Sequence, residues 1–518
     1  MWNNDKNRGR VQGAVDVPYL VRRAARDHAH VPAVDDGSRV WRMAELVARA
    51  ERFANALDAL GVEPGACVGV LSENRTAYVE ADLGIALARR VRVAMNPRLA
   101  LPDFRYAVQD ADVRVLIHSG RFAAEAAALH DELGVMPITF DPSPDSSGRG
   151  FDALVEEARP DVIRRGGGDE APAWISYTSG TTGRPKGIVL SHRAIREVAL
   201  NLALELGPHE PGEQIVLTQP LSHGAGYFVL PYLMSGAGMC ILERFDPERV
   251  FELSTRPDVR TLKLVPTMLS MLLEHDRGAP FGYDSVIYGA APIPGPVLDA
   301  SLERFGPVLV QIYGQSEAPV TLTCLHKRDH EGDGARRSSA GRAWRSVGVE
   351  VCGEDGEPLP RGERGEVMVT GQHLMTGYHN RPEETAEVLT GGWVRTRDMG
   401  MMDESGYLYL LGRTDEMINS GGFNIAPREV EQALTEHPSI EEVCVMGLPD
   451  DRWGTVVSAA LRARRGAALE VADVLQFAKP RLGFRAPKRV VILDEIPKNA
   501  YGKVDRAGLR ARLEEDGR

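Results

Sequence analysis

The segment YTSGTTGRPKG, from Tyr177 to Gly187, decides the expected type of fold and site. Its eleven residues include four Ser or Thr hydroxyls, three glycines and the lysine Lys186. Glycine lets the backbone approach an anion closely with its N–H groups turned inward. Hydroxyls add short donors, and the lysine adds a positive charge. The segment therefore predicts a loop that holds phosphate.

The residues around this loop predict its place in the fold. Ala173 to Tyr177 is an apolar run typical of a buried strand, so the loop is expected to follow a strand end. The loop is not that of the P-loop ATPases, because Lys186 is followed by Gly187 rather than by Ser or Thr. A flexible surface turn has a similar composition, and composition alone leaves that alternative open.

Length and composition describe a globular protein of two or more domains. A chain of 518 residues is too long for one small core. Its hydrophobic content of 43% and charged content of 26% are ordinary for such proteins. The net charge of -12 argues against a dedicated nucleic-acid binder.

The cysteines and the apolar runs indicate a cytoplasmic location. The cysteines lie far apart and form no C-x-x-C pair, which argues against a disulfide framework or a zinc site. They are Cys67, Cys240, Cys324, Cys352 and Cys444. No apolar run reaches the length of a membrane span, and the polar residues 1–10 do not resemble a signal peptide.

The first half of the chain alternates helix and strand patterns. One helical face carries Leu46, Val47, Ala50, Phe53, Ala54, Leu57 and Leu60. Gly61 is placed to end that helix, and short apolar runs at Ala66–Leu71 and Val113–Ile117 are typical of buried strands. This alternation favours sheets covered by helices. Segments rich in Pro, Ser, Gly or charge predict exposed loops at 141–150, 164–170 and 328–339.

A polar, turn-prone segment from Gly412 to Glu416 predicts a domain boundary. We place an N-terminal domain at residues 1–413 and a C-terminal domain at 414–518, the latter within the size range of a small domain. The smaller domain has its own predicted helix, Pro427–Leu434, and its own predicted strand, Val443–Met446.

Further motifs accompany the phosphate loop in a fixed order. They are Leu221–Tyr227, Gly289–Pro292, Tyr313–Glu317, Trp393–Asp398, Glu416–Pro427 and Pro497–Val504. Together they resemble the adenylate-forming superfamily of acyl- and aryl-CoA ligases, peptide-synthetase adenylation domains and beetle luciferases. The resemblance implies an α/β fold of the ANL type. In that fold a large domain of helix-covered sheets and a β-barrel-like subdomain precede a small, mobile α+β domain.

The resemblance implies a site for ATP and magnesium. Tyr313 would stack on adenine, Ser316 would donate to the α-phosphate, Glu317 would bind the metal, and Asp398 with Arg413 would bind the ribose. The full set of implied ATP or AMP contacts is Thr178, Ser179, Gly180, Thr181, Thr182, Gly183, Lys186, Gly289, Ala290, Ala291, Pro292, Gln311, Tyr313, Gly314, Ser316, Glu317, Asp398 and Arg413. Taken alone, the Tyr313–Glu317 segment also fits a strand-end turn with a solvated glutamate.

The catalytic residues implied by the resemblance are Lys503, Thr178, Glu317 and His223. Lys503 would bridge the carboxylate and the α-phosphate and so reduce the repulsion between two anions. A surface lysine in a basic tail is the alternative. The sequence departs from the family pattern at Arg397, where glycine is common, and we assign that residue no role.

The acid substrate is expected in an apolar pocket. The resemblance places there His223, Tyr227, Phe228, Val265, Tyr288, Gly289 and Gly314. None of these residues is a lysine, arginine or carboxylate, which favours an aromatic, alicyclic or medium-chain monocarboxylic acid over an amino acid. The two glycines predict room for a bulky acid. A single histidine such as His223 is also often structural.

The smaller domain is expected to carry the coenzyme A contacts. The resemblance assigns Asp415 as the hinge of a domain rotation and Gly421 and Gly422 as the lining of a narrow pantetheine tunnel. Trp453 and Phe484 would flank the CoA adenine. A hairpin turn at the glycines and ordinary packing of the aromatics are the alternatives.

The resemblance implies an acid–CoA ligase that uses ATP, Mg²⁺ and coenzyme A and acts as a monomer or homodimer. A stand-alone enzyme that loads a separate carrier protein would share the first step. A non-catalytic nucleotide-binding scaffold is the alternative from another class. The joint presence of Lys186, Glu317, Asp398, Arg413 and Lys503 argues against such a scaffold.

Overall fold

The computed structural model describes residues 15–143, 148–163, 166–178, 185–331, 334–420, 423–450, 454–499 and 504–515. In chain order the helices are α1 Val17–Asp27, α2 Met43–Ala59, α3 Thr76–Leu87, α4 Leu101–Asp110, α5 Ala123–Leu133, α6 Phe151–Glu157, α7 His192–Leu206, α8 Val229–Met234, α9 Pro247–Leu253, α10 Pro266–His275, α11 Gly295–Phe305, α12 Gly334–Arg337, α13 Pro382–Val388, α14 Pro427–Thr435, α15 Val471–Leu482 and α16 Arg506–Glu515. None of these helices is long and apolar enough to cross a bilayer.

The strands alternate with the helices through most of the first half of the chain. In chain order they are β1 Pro32–Asp35, β2 Val40–Arg42, β3 Cys67–Leu71, β4 Val91–Ala94, β5 Val113–His118, β6 Met136–Thr139, β7 Arg149–Gly150, β8 Pro172–Thr178, β9 Lys186–Ser191, β10 Gln214–Leu217, β11 Gly238–Ile241, β12 Val259–Leu264, β13 Ser285–Gly289, β14 Leu309–Tyr313, β15 Thr323–Leu325, β16 Arg342–Ala343, β17 Gly348–Cys352, β18 Arg364–Thr370, β19 Gly377–Tyr378, β20 Leu389–Thr390, β21 Trp393–Met402, β22 Leu408–Arg413, β23 Ile418–Ser420, β24 Phe423–Ile425, β25 Ile440–Asp450, β26 Gly454–Ala463 and β27 Arg489–Ile492.

Two large mixed sheets organise the N-terminal part. One has the order β16-β15-β14-β13-β12-β10-β11-β1-β2, and its strands from β14 to β1 run parallel. The other has the order β19-β9-β8-β4-β3-β5-β6-β7, with β8 to β7 parallel. A continuous apolar core that includes Phe53, Phe228 and Trp344 joins strands of both sheets to helices α2, α3 and α7. The predicted helix-covered sheets are confirmed.

A third sheet and a small α+β unit complete the fold. Strands β17, β18, β21 and β20 form a curled antiparallel sheet with β22 paired to β21, which confirms the predicted barrel-like subdomain. Beyond it, β25, β26 and β27 pack with α14, α15 and α16 around apolar clusters whose members all lie after residue 417. These clusters agree with a separate C-terminal domain, and the boundary at 413/414 stays a prediction.

The individual elements predicted from periodicity are confirmed with small shifts of their ends. The apolar face that begins at Leu46 belongs to α2, and Gly61 lies just beyond the helix with φ +73°, a left-handed conformation that ends helices. The predicted strands become β3 and β5, and the predicted helix and strand of the small domain become α14 and β25.

The segment 328–339, predicted as an exposed loop, differs from that expectation. Lys327–His330 forms a 3-10 turn, α12 follows it, and Asp329 and His330 are buried. Asp329 accepts hydrogen bonds from the His326 N–H at 3.1 Å and the Tyr407 hydroxyl at 2.8 Å. The contact with the distant Tyr407 orders a segment whose composition resembles a loop. The prediction for 141–150 also missed the short strand β7, which pairs with β6.

Candidate active site

The phosphate loop connects two paired strands. Thr178 ends β8, Lys186 begins β9, and these two residues are partners in the antiparallel ladder. The two ends of the loop are therefore held side by side, at the end of β8 and the start of β9. The loop residues Ser179, Gly180, Thr181, Thr182 and Gly183 lie outside the described residues. The predicted strand before the loop is confirmed.

A chain of polar contacts runs from Lys186 to Glu317. The Lys186 ammonium pairs with Glu384 and lies 5.1 Å from the centre of the Tyr378 ring. The Tyr378 hydroxyl donates to the Glu317 carboxylate at 2.8 Å. Burial and the adjacent Glu317 raise the pKa of Tyr378, so its hydroxyl stays protonated as a donor at neutral pH.

The segment before Tyr378 joins the two large sheets. The Met375 N–H donates to the Glu317 carbonyl at 2.9 Å, and the Thr376 N–H donates to the Val189 carbonyl at 2.9 Å. Glu317 follows β14 of the first sheet, whereas Val189 lies in β9 of the second. This bridge brings the predicted metal ligand close to β9, the strand that follows the predicted phosphate loop.

Glu317 fits a magnesium site that is completed by a nucleotide. Within the described residues no group of three or more His, Cys, Asp or Glu side chains could hold a metal ion. Magnesium commonly binds through one or two carboxylates plus substrate phosphates and water, so a single glutamate suits a metal that arrives with ATP.

The predicted ribose contacts form a compact cluster. Asp398 and Arg413 are ladder partners in β21 and β22, and the guanidinium lies 3.2 Å from the carboxylate. The Tyr313 hydroxyl at the end of β14 donates to the same carboxylate. Burial acts to lower the pKa of Arg413, but Asp398 and Asp415 outweigh it and raise the pKa. The negative charge of Glu317 contributes to the same rise in the pKa of Arg413.

The backbone around the predicted adenine segment is strained. Ala290 has φ +70° and Val320 has φ +46°, conformations uncommon for residues other than glycine. A Cβ atom on Gly289 would collide with the Ile312 carbonyl, and one on Gly314 would collide with the backbone of Val320. The missing side chains of these glycines make room for neighbouring backbone. They therefore give no support to the prediction of a bulky acid.

Arg397 also adopts a left-handed conformation. Its φ is +57°, which explains why glycine suits this position. Its N–H donates to Glu366 at 3.1 Å, and its guanidinium lies 3.4 Å from the exposed Glu387. The backbone geometry thus positions the neighbouring Asp398, and the side chain extends to a surface ion pair.

His223 lies in a tight turn after β10. Its Nδ1 lies 2.8 Å from the Ser222 hydroxyl, and its carbonyl accepts from the Gly226 N–H at 3.0 Å. The buried Asn74 holds the start of this turn: it donates to the Gln219 carbonyl at 2.7 Å and accepts from the Leu221 N–H at 2.8 Å. The turn leads directly into the 3-10 segment Gly226–Phe228.

The predicted acid-pocket residues divide between two faces of the first sheet. Tyr288 pairs in register with Leu264 and packs in the cluster under α10 and α11. Its hydroxyl lies 3.1 Å from Gln311 Oε1 and 3.0 Å from His330 Nε2. Phe228 belongs to the cluster on the other face. Tyr288 and Phe228 therefore pack on opposite faces of this sheet.

Some predicted contacts with coenzyme A can be located. Phe484 is 60% exposed, and its ring centre lies 4.8 Å from that of Phe423, which is 59% exposed. Asp415 lies in a 3-10 turn, 4.0 Å from Arg413. Gly421, Gly422, Trp453 and Lys503 lie outside the described residues.

Comparison with known proteins decides the family. The model of the AMP-binding enzyme family matches residues 21–379, and that of the AMP-binding enzyme C-terminal domain matches residues 429–503. The chain belongs to the AMP-binding enzyme family. Within this family it is an adenylate-forming acid–CoA ligase, which confirms the resemblance found in the sequence.

Its relatives in this family act on different acids. The chain is 34% identical to the medium/long-chain-fatty-acid–CoA ligase FadD8 of Mycobacterium tuberculosis, over 96% of this chain and 90% of the relative. It is 35% identical to feruloyl-CoA synthase of an Amycolatopsis species, over 95% and 98%. The solved o-succinylbenzoate CoA synthetase (MenE) of Bacillus subtilis, in complex with the acyl-adenylate intermediate OSB-AMP, superposes with TM-score 0.84, 28% identity and coverage of 95% and 97%.

The tertiary structure adds residues to the family motifs found in the sequence. Tyr378 and Glu384 contact Glu317 and Lys186, yet both lie outside the motifs. Phe423 joins Phe484, and Lys263 lies beside Phe228. Only Lys263 left a signal in the sequence, as a lysine between the apolar residues Leu262 and Leu264 of β12.

Proposed function

We propose that this chain activates an aromatic, alicyclic or medium-chain carboxylic acid as its acyl-adenylate and then transfers the acyl group to coenzyme A. The observation that carries the proposal is the joining of two polar clusters in one site. The Tyr313–Asp398–Arg413 cluster suits a ribose, and the Lys186–Tyr378–Glu317 chain suits a magnesium triphosphate.

The first half-reaction forms an oxygen–phosphorus bond. A carboxylate oxygen of the acid attacks the α-phosphorus of ATP, and the bond to the β-phosphate breaks with departure of pyrophosphate. Thr178 and Ser316 donate hydrogen bonds to phosphate oxygens, and Lys503 lies between the two anions. When bound through Glu317, magnesium supplies charge neutralisation at the phosphates.

The second half-reaction forms the thioester. The CoA sulfur attacks the acyl carbon, its proton departs, and the bond to AMP breaks. Rotation about Asp415 withdraws Lys503 and presents Gly421 and Gly422 to the site. The exposed aromatic pair of Phe423 and Phe484 supports this step, because aromatic rings exposed to solvent suit stacking with the adenine of coenzyme A.

The apolar surroundings of Phe228 support an acid with a substantial apolar body. Phe228 is fully buried in the main core, and Val265 packs at the edge of the neighbouring cluster. Relatives named for fatty and for aromatic acids agree with such a substrate.

The test is pyrophosphate release from ATP and magnesium across a panel of aryl, alicyclic and fatty acids, with and without coenzyme A. Turnover that requires coenzyme A and yields AMP and an acyl-CoA is the expected result. Release that stops at one equivalent in the presence of coenzyme A would instead indicate a carrier-protein acceptor. If no acid gives release, the catalytic proposal is wrong and a nucleotide-binding scaffold becomes the better description.

A further inference from the structure

Lys263 is a buried lysine on the sheet face that carries Phe228. It lies in β12 and is 2% exposed. Its ammonium donates to the Leu264 carbonyl at 3.1 Å and lies 5.8 Å from the centre of the Phe228 ring. An ammonium has three N–H donors, so this bond satisfies one of them. No carboxylate of the described residues forms an ion pair with it.

The register of the strands fixes the side to which Lys263 points. Lys263 pairs in register with Ile287 of β13, which packs in the same cluster as Phe228. Gly289 lies two residues after Ile287, and alternation along β13 puts it on that same face. Two predicted acid-pocket residues, Phe228 and Gly289, thus share a face with a lysine.

Lys263 lies deeper in the sheet than the nucleotide segment. The predicted adenine contacts begin at Gly289, at the carboxyl end of β13. Lys263 is level with Ile287, which is two residues, or roughly 7 Å, further from that end. An acid whose carboxylate lies near the α-phosphate would therefore present its opposite end to Lys263.

An unpaired buried ammonium is costly, and burial lowers the pKa of Lys263 to about 7. Packing does not require the charge, because an unbranched apolar side chain such as Met would occupy a similar volume. A ligand that supplies an acceptor oxygen would satisfy the remaining N–H donors. Perturbed ionisable groups in a substrate pocket commonly mark function.

We propose that Lys263 is a specificity-determining residue that binds an acceptor oxygen, carboxylate or phenolic, at the end of the acid remote from the reacting carboxylate. This inference rests on the proposed function and narrows its substrate class. The preferred acid has an apolar body with an oxygen at each end, in contrast to the purely apolar acid suggested by the predicted pocket residues.

The test uses acids that differ only at the far end. Benzoates and cinnamates carrying a hydroxyl, a carboxyl or a methyl group at the para position are compared by acid-dependent exchange of pyrophosphate into ATP. We expect kcat/KM to be at least about tenfold higher for the oxygen-bearing acids, as for one charge-assisted hydrogen bond. In Lys263→Met this preference should vanish, while kcat/KM for the methyl acids stays within about threefold. Separate hydroxyl and carboxyl acids show which oxygen is preferred.

Lys479→Met is the matched control, because this lysine is exposed on α15 of the small domain. It should leave the substrate preference unchanged. Equal rates for oxygen-bearing and methyl acids in the unchanged protein would overturn the inference without any variant, as would equal losses for all acids in a folded Lys263→Met. Lys263→Gln, which keeps a donor, should retain part of the preference. Failure of every acid to support exchange would instead overturn the proposed function itself.

Discussion

The two ends of the proposed site treat charge in opposite ways. At the nucleotide end, Lys186 and Arg413 each pair with a carboxylate, Glu384 and Asp398. At the acid end, Lys263 is buried and has no carboxylate partner within the described residues. The nucleotide end is thus electrostatically balanced before ATP arrives, whereas the acid end has a charge that a substrate can match. In this way the nucleotide end supplies binding energy that is the same for every acid, and the acid end supplies binding energy that distinguishes one acid from another.

The largest expected loss of activity concerns acyl-adenylate formation, the step in which the acid reacts with the nucleotide. Lys503→Ala should reduce acyl-adenylate formation by about a hundredfold or more, because a charge partner of the transition state is lost. Thioester formation from supplied acyl-adenylate should be spared. Both half-reactions are measured in single-turnover experiments. Equal loss in both would contradict the assignment of separate conformations to the two steps.

Asp398→Ala tests the balanced end. Removal of this carboxylate leaves Arg413 and Tyr313 without a shared acceptor and removes the predicted ribose contact. We expect kcat/KM for ATP to fall by about a hundredfold, as for lost hydrogen bonds to a charged group. The relative rates with different acids should remain as they were. A change in acid preference would show that the two ends are coupled.

The pH dependence of stability tests the unbalanced end. Lys263 has a folded-state pKa of about 7 against an ordinary value of 10.5. Between these values the unfolded chain binds a proton that the folded chain does not, so stability rises with pH in this window. The free energy of unfolding should rise by up to about 1.4 kcal/mol per pH unit relative to Lys263→Met. Denaturant titrations at pH 7.5 and 9.5 measure it, and parallel curves for both proteins would refute the lowered pKa.

Phe484→Ala tests the aromatic pair on the small domain. The KM for coenzyme A should rise by about tenfold, the effect of losing one stacking contact. Pyrophosphate release in the first half-reaction should be unchanged, because the ring belongs to the other step. Steady-state kinetics with varied coenzyme A provides the measurement. An unaltered KM would leave Phe484 as a packing partner of Phe423 alone.

The smallest expected effect concerns the backbone at the nucleotide end. Arg397→Gly should stabilise the fold by about 1 kcal/mol, since glycine adopts a left-handed conformation without steric cost. Thermal unfolding is the readout. Arg114→Gly, at an exposed position of β5, should instead destabilise by a similar amount. Loss of stability in Arg397→Gly would mean that the ion pair with Glu387 outweighs the strain.

Local residue patterns were enough to predict the family, the order of the motifs and most regular elements. The phosphate loop, the Tyr313–Glu317 segment and Asp398 are local signals whose residue types follow from the chemistry of a nucleotide. Periodicity found α2, β3 and β5 because each buries one face or the whole strand. The sequence showed that these motifs are present, but it did not show where they lie relative to one another in the fold.

Contacts between side chains that are distant in the sequence became known from the three-dimensional fold. Tyr378 reaches Glu317 because β19 pairs with β9, a contact between segments about 190 residues apart. The register of β12 and β13 puts Tyr288 on the sheet face opposite Phe228, and it puts Lys263 on the same face as Phe228. Local composition does not predict such pairings, because the sheet face on which a side chain lies depends on the register of strands that are distant in the sequence. The role of Gly289 and Gly314 could not be predicted for the same reason. Each lacks a side chain because the backbone of a residue elsewhere in the sequence packs against it.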